Sequence, residues 1–188
     1  LEDQDGIWNP AFCSGNTNLL ATLTDDGRIK VWDLAARHVR VEFEGHPRSP
    51  SAAANSGVNA LNFSLVFSRN GKWLASASSD YSSSSDNSVK LWDVESRNRQ
   101  PVRTLRRYAY SAGGVFFSPD GSQLFSSGSE SMIRVWDVAT GAEAAAPLEG
   151  HAAWVGKRAT SPDGLLMASG GGDSTVNGWN VRSRKRER

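Results

Sequence analysis

Cysteine is almost absent from this chain. Cys13 is the one cysteine in 188 residues, which excludes an internal disulfide and suits a reducing compartment. It stands at a strand end where other parts of the chain have Ser, and reads as a small packing residue rather than a nucleophile. Histidine is nearly as scarce. His38, His46 and His151 fall in different parts of the chain, so no metal-ligand constellation is legible and neither a metal nor a cofactor is expected. No apolar run approaches the roughly 18 residues that a membrane span requires. Charge of one sign is missing too, because 21 Lys and Arg face 20 Asp and Glu for a net +1. The balance is uneven at one end: residues 182–188 hold five bases and one acid, against 16 bases and 19 acids elsewhere. Such a cluster fits a nuclear address or a nucleic-acid contact, but no aromatic residues interleave with it for base stacking. A solvated basic tail is the favoured reading, and nucleic acid is a disfavoured partner. With 38% hydrophobic and 22% charged residues, the composition is that of a soluble globular chain, expected inside the cell, in cytoplasm or nucleus.

What the chain does have is a repeat. Trp32-Asp33, Trp92-Asp93 and Trp136-Asp137 end short apolar runs, and Trp179-Asn180 is a worn fourth copy. The turns Ser118-Pro119-Asp120-Gly121 and Ser161-Pro162-Asp163-Gly164 set their Asp 16 residues before the Trp, and Asn16 keeps that distance from Trp32. In copy two, Asn70 of Ser68-Arg69-Asn70-Gly71 lies 22 residues before Trp92, the excess falling in the serine-rich stretch near 81–86. His151 lies 12 residues before Asp163 and Tyr108 lies 12 before Asp120, whereas His46 lies 24 before Asn70, which indicates a second insertion near 47–57.

Between these landmarks the text reads as strands. Leu19–Leu23, Lys72–Ser76, Gln123–Ser126 and Leu165–Ser169 follow the turns, and Ile29–Leu34, Val89–Val94, Ile133–Val138 and Val176–Val181 carry the Trp. These runs are short, rich in β-branched and aromatic residues, and bounded by Gly, Asp or Ser. A further run precedes each turn and another follows each Trp-Asp. Four strands in about 43 residues make one propeller blade. The expected architecture is therefore all-β, with about four blades of four antiparallel strands. Blade 1 spans 1–43 and is truncated at its start; blade 2 spans 44–106; blade 3 spans 107–148; blade 4 spans 149–181 without its outer strand; 182–188 is the tail.

Several motifs holding one mutual spacing make the chain resemble the WD40 (Trp-Asp) repeat family of β-propellers over nearly its whole length. The resemblance implies that each blade is braced by a hydrogen-bonded tetrad of turn Asp, Gly-His histidine, second-strand Ser or Thr, and Trp. By position these are Thr22, Asp26 and Trp32 in blade 1; His46, Ser76, Asp80 or Asp86, and Trp92 in blade 2; Ser126, Glu130 and Trp136 in blade 3; and His151, Ser169, Asp173 and Trp179 in blade 4. Gln4 and Tyr108 stand at the histidine places of blades 1 and 3, so those blades should be less well braced. A carboxylate inside a blade has to be compensated by donors, which a tetrad supplies. Ser, His and Asp also compose a catalytic triad, but a set recurring in each blade is a brace, since triads are recognised by exposed geometry. An enzyme is accordingly disfavoured.

Blade 4 departs furthest from the pattern, with Arg158 and Thr160 where copy three has Val115 and Phe117. An unpaired buried Arg158 would be costly, so this blade should be an edge, locally reshaped, or eroded. Seven-bladed propellers need about 300 residues, and an open array exposes the apolar flanks of its end blades. The expectation is a part of a larger propeller, with self-association of two chains as the alternative. The resemblance further implies a scaffold that docks proteins or peptides. By position the contact candidates are Asp25, Ser129, Trp154 and Lys157, and an exposed Trp154 would be the natural anchor, although packing between blades would equally explain it. Two other roles stay open, a sensor segment of a larger NTPase signalling protein and a nonfunctional propeller remnant.

Overall fold

In the computed structural model the residues described are 6–24, 26–46, 64–78, 86–96, 98–105, 108–109 and 111–187. They form sixteen strands in four antiparallel sheets of four, and among them there is no helix, hence none long and apolar enough to cross a membrane. Blade 1 comprises β1 (Ile7–Cys13), β2 (Asn16–Thr24), β3 (Ile29–Asp33) and β4 (His38–Phe43). Blade 2 comprises β5 (Ser64–Phe67), β6 (Trp73–Ala77), β7 (Val89–Asp93) and β8 (Arg103–Leu105). Blade 3 comprises β9 (Ala112–Phe117), β10 (Gln123–Gly128), β11 (Met132–Asp137) and β12 (Leu148–Glu149). Blade 4 comprises β13 (Val155–Thr160), β14 (Leu166–Gly171), β15 (Val176–Asn180) and β16 (Lys185–Glu187). Each sheet is a meander in chain order, the topology that short hairpin connections produce. Most of 47–57 and 81–86, where the insertions were expected, lies outside the described residues, as do Gln4, Asp25 and Asp80.

The first hairpin of blades 2, 3 and 4 is set by its turn. Ser68, Ser118 and Ser161 each donate a side-chain hydrogen bond to Asn70, Asp120 and Asp163 two residues on, and that carboxylate or amide oxygen accepts the N–H of Lys72, Ser122 or Leu165. This is the side-chain mimicry of a turn that favours Ser, Asn and Asp here. Blade 1 has Cys13 in the serine position. Its thiol is buried and points instead to the Ser68 and Arg69 carbonyls of blade 2.

The blades are held together by three apolar clusters, one at each junction. Phe43 of β4 stacks on Trp92 of β7 with ring centroids 5.0 Å apart, in a cluster that also takes Leu19, Ile29 and Leu74. Trp136 lies in the cluster between blades 2 and 3, with Leu91 and Leu105. Trp179 lies between blades 3 and 4, with Phe116, Phe125 and Met167. Each of these three indoles thus faces the preceding blade. Burial of this kind is the main stabilising term for stacked repeats, because each unit hides its apolar face only against a neighbour. On the two outer flanks large apolar side chains stay exposed: Ile7 and Phe12 of blade 1, and Leu165, Leu166 and Val176 of blade 4, Val176 at 76%.

One expectation is corrected. Blade 4 has an outer strand, and the basic tail supplies it: Lys185, Arg186 and Glu187 pair with Asn180, Trp179 and Gly178. The reversal that sets this up is made by Asn180, whose side chain accepts the Ser183 N–H and whose carbonyl accepts the Arg184 N–H, with Arg184 at φ 57°. All three side chains of β16 are exposed. An edge strand of this kind needs main-chain pairing alone, so it carries no apolar pattern to read.

Candidate functional site

Two of the four blades bring a complete His, Ser, Trp and Asp set together. In blade 2 the Trp92 indole N–H donates to Ser76 Oγ at 2.9 Å, His46 Nε2 lies 2.8 Å from the same Oγ, and His46 Nδ1 lies 3.0 Å from Asp86. The carboxylate fixes the imidazole proton on Nδ1, so Nε2 accepts from the serine hydroxyl, and the chain of donors runs from indole to carboxylate without a break. Asp86 takes the acid position. Lys90, two residues before Trp92, pairs with Asp86 at 2.9 Å and donates to the Gly45 carbonyl at 2.6 Å. Burial holds His46 below the usual imidazole range, against the pull of Asp86. Burial would raise Asp86, but the imidazole and ammonium partners outweigh it and hold its carboxyl well below the usual range.

Blade 4 repeats the arrangement. Trp179 donates to Ser169 Oγ at 2.7 Å, His151 Nε2 lies 2.8 Å from it, and His151 Nδ1 lies 2.9 Å from Asp173. Asp173 also accepts the Ala152 N–H at 2.8 Å and the Thr175 hydroxyl and N–H, and the Ala152 amide leads the causes that hold it well below the usual carboxylate range. In place of Lys90, Asn177 donates to the Gly150 carbonyl at 3.2 Å.

Blades 1 and 3 differ from the sets expected of them. In blade 3 the Tyr108 hydroxyl donates to Ser126 Oγ at 2.6 Å, and the Trp136 indole donates to the same oxygen at 2.6 Å. A phenol has one polar atom where an imidazole has two. Nothing is left to engage the acid, and Glu130 turns to Arg134, which it binds through Nε at 3.0 Å and Nη2 at 2.7 Å. In blade 1 Trp32 donates to Thr22 at 2.8 Å, but Asp26 lies outside that pair: it accepts from Thr24 and the Arg28 N–H and forms an ion pair with the Arg28 side chain at 2.9 Å. Asp26 is therefore corrected from a brace member to a turn residue, and Glu130 from a brace member to one half of a half-buried ion pair. Sequence reasoning missed Lys90, and it placed Tyr108 at the histidine position without foreseeing that the hydroxyl would reach Ser126. The signals were there, a column of Lys30, Lys90 and Arg134 two residues before the Trp of blades 1, 2 and 3, and a phenol long enough to span the histidine place.

None of these sets has the geometry of a nucleophile. Ser76, Ser126 and Ser169 are about 1% exposed, and an indole N–H already occupies a lone pair of each hydroxyl. A triad serine has to be open to a substrate carbonyl.

The surface candidates separate clearly. Ser129 is half-buried and exchanges hydrogen bonds with Ser111, its N–H donating to the Ser111 carbonyl at 3.1 Å. Lys157 lies on β13, and its side chain is outside the described residues. Trp154 is 57% exposed. Its indole lies across two glycines: a Cβ on Gly172 would come 2.3 Å from Nε1, and one on Gly156 would come 2.4 Å from Cζ3. Any side chain at either position would lift the ring from its seat. The mount is tied to the blade 4 brace, because Gly172 N–H donates to the Trp154 carbonyl at 2.9 Å while Asp173 holds Ala152.

The repeat is matched by the model for "WD domain, G-beta repeat", WD40, at residues 2–33, 38–93, 99–137 and 143–180. Similar proteins include nuclear distribution protein PAC1 of Arthroderma otae, 32% identical over 79% of this chain and 29% of that protein. Nuclear distribution protein nudF 1 of Talaromyces marneffei is 29% identical over 79% of this chain and 27% of its own length. Small ribosomal subunit protein RACK1y of Oryza sativa subsp. japonica is 29% identical over 73% of this chain and 37% of its own. The chain thus spans less than two fifths of each of these relatives. Four repeat matches on four four-stranded blades make this chain a member of the WD40 repeat family.

Proposed function

We propose that this chain is a non-catalytic scaffold that docks partner proteins or peptides inside the cell, and that Trp154 is its anchor. The observation that carries this reading is a large aromatic side chain, more than half exposed, fixed against backbone at the end of a blade. A tryptophan held in one orientation loses little side-chain entropy on binding, and buried Trp residues dominate interface energies. Supporting it, the braces of the blades are internal and engaged, which leaves the chemistry of the chain on its surfaces. Membership of a family whose relatives are named for nuclear distribution and for the small ribosomal subunit agrees with work in assemblies.

The test selects peptides from a random library on the intact chain and measures their affinity again on Trp154→Ala. An anchor at the centre of an interface is worth about 2 kcal/mol, so binding should weaken roughly thirtyfold while the circular dichroism spectrum and thermal midpoint stay as they were. Peptides that bind Trp154→Ala as well as the parent would place docking elsewhere.

A further inference from the structure

Leu65, Val115 and Arg158 occupy one position in three successive blades, facing Ser76, Ser126 and Ser169 across the first two strands. Leu65 and Val115 belong to apolar clusters. Arg158 instead runs along the inner strands, over Gly114 of β9, and its Nη2 donates to the Val115 carbonyl and, at 2.7 Å, to Ser64 Oγ of β5. Gly114 makes the passage possible, since a Cβ there would fall 1.6 Å from Nη1. Both acceptors are neutral, and both are used by one nitrogen. Among the described residues no carboxylate pairs with this guanidinium. Burial lowers its pKa to about 10, which still leaves it a cation at neutral pH.

Beside it lies a second uncompensated group. Ser127 Oγ is buried without a hydrogen-bond partner, and it sits 3.1 Å from the same Gly114 Cβ point that Nη1 approaches. Ser127 is itself about 1% exposed. A cation without an anion and a hydroxyl without an acceptor, side by side, are both costly as they stand. One ligand removes both costs: an anion with two oxygens, which a guanidinium fork binds through parallel N–H bonds and to which a serine hydroxyl donates. We propose that Arg158, through Nη1 and Nε, and Ser127, through Oγ, form a carboxylate-binding site on the inner strands at the junction of blades 3 and 4. The carboxylate is either a free small anion or the side chain of an acidic residue in a bound polypeptide.

The arginine Nε–Hε resonances of the intact chain, followed by NMR at constant ionic strength and pH 7, distinguish these sources. Formate is the probe for a free anion and N-acetyl-aspartate amide the probe for a protein-borne carboxylate. The Arg158 resonance should move saturably with at least one of them, formate alone marking a free-anion site and the aspartate amide a side-chain site. Ser127→Ala should weaken half-saturation at least fivefold on the Arg158 resonance, and Arg158→Lys at least tenfold on the backbone amide resonance of Ser127, which the anion also moves. Ser127→Ala replaces an unsatisfied buried hydroxyl by a methyl group, so it keeps the fold and decides the matter even if Arg158→Lys does not. A linear drift with both probes, or half-saturation unchanged in Ser127→Ala, overturns the proposal.

Discussion

Blades 2 and 3 solve the same problem with different side chains. Each must hold an indole N–H inside a junction, and each uses a buried serine hydroxyl to accept it. Blade 2 continues the network through His46 to Asp86 and Lys90, so a buried charge pair is wired into the core. Blade 3 stops at Tyr108, and its acid leaves for a half-buried ion pair with Arg134. The hydroxyl and the indole are thus the indispensable part. The imidazole and carboxylate extend the brace and make it titratable, whereas a phenol closes it with groups that stay neutral near pH 7.

The sharpest way to break this comparison is to remove both acids. Asp86→Ala removes the carboxylate that Lys90 and His46 share and should cost about 3 kcal/mol, as opening a buried pair does; Glu130→Ala should cost about 1 kcal/mol or less. Urea unfolding measures both, and equal losses would mean that blade 3 uses its acid as blade 2 does. Tyr108→Phe comes next. It deletes one neutral hydrogen bond between buried groups, for roughly 1 to 2 kcal/mol in the same assay.

Smaller effects appear in the pH dependence, and they have opposite signs. His46 titrates lower in the folded chain than in the unfolded one, so the unfolded state takes up its proton first and stability declines as pH falls below about 6.5. Asp86 is depressed as well, and adds a second loss as pH falls below about 4. Tyr108 is raised by burial, so its contribution is whole below about pH 10 and is lost as pH rises further. Thermal midpoints across pH should therefore show an acid limb that His46→Gln flattens and an alkaline limb that Tyr108→Phe flattens. A variant that flattened the other limb would show that the titrating groups are elsewhere.

Much of this was legible because spacing survives where composition drifts. Ser76, Ser126 and Ser169, their tryptophans, and the imidazoles of His46 and His151 are found by counting along the chain, since four strands of fixed length return the same positions to the same places. Two kinds of feature escaped the count. β16 depends on backbone pairing and shows only Lys185, Arg186 and Glu187, which read as a solvated tail. The reach of long side chains escaped too: Arg158 takes its charge past Gly114 to another strand, and Arg134 draws Glu130 away from the position that its spacing assigns. Side-chain length and a neighbouring glycine decide such contacts, and periodicity carries no record of either.

The charged outer strand of blade 4 has a consequence for company. A sheet edge offers unpaired N–H and C=O groups to any passing strand, and a flat apolar one invites fibrous stacking. With Lys185 and Arg186 projecting from it, β16 meets the same edge of another copy as like charge against like charge. The residues that disguise this strand as a tail are gatekeepers, and replacing them with Val or Thr would exchange a soluble edge for an adhesive one.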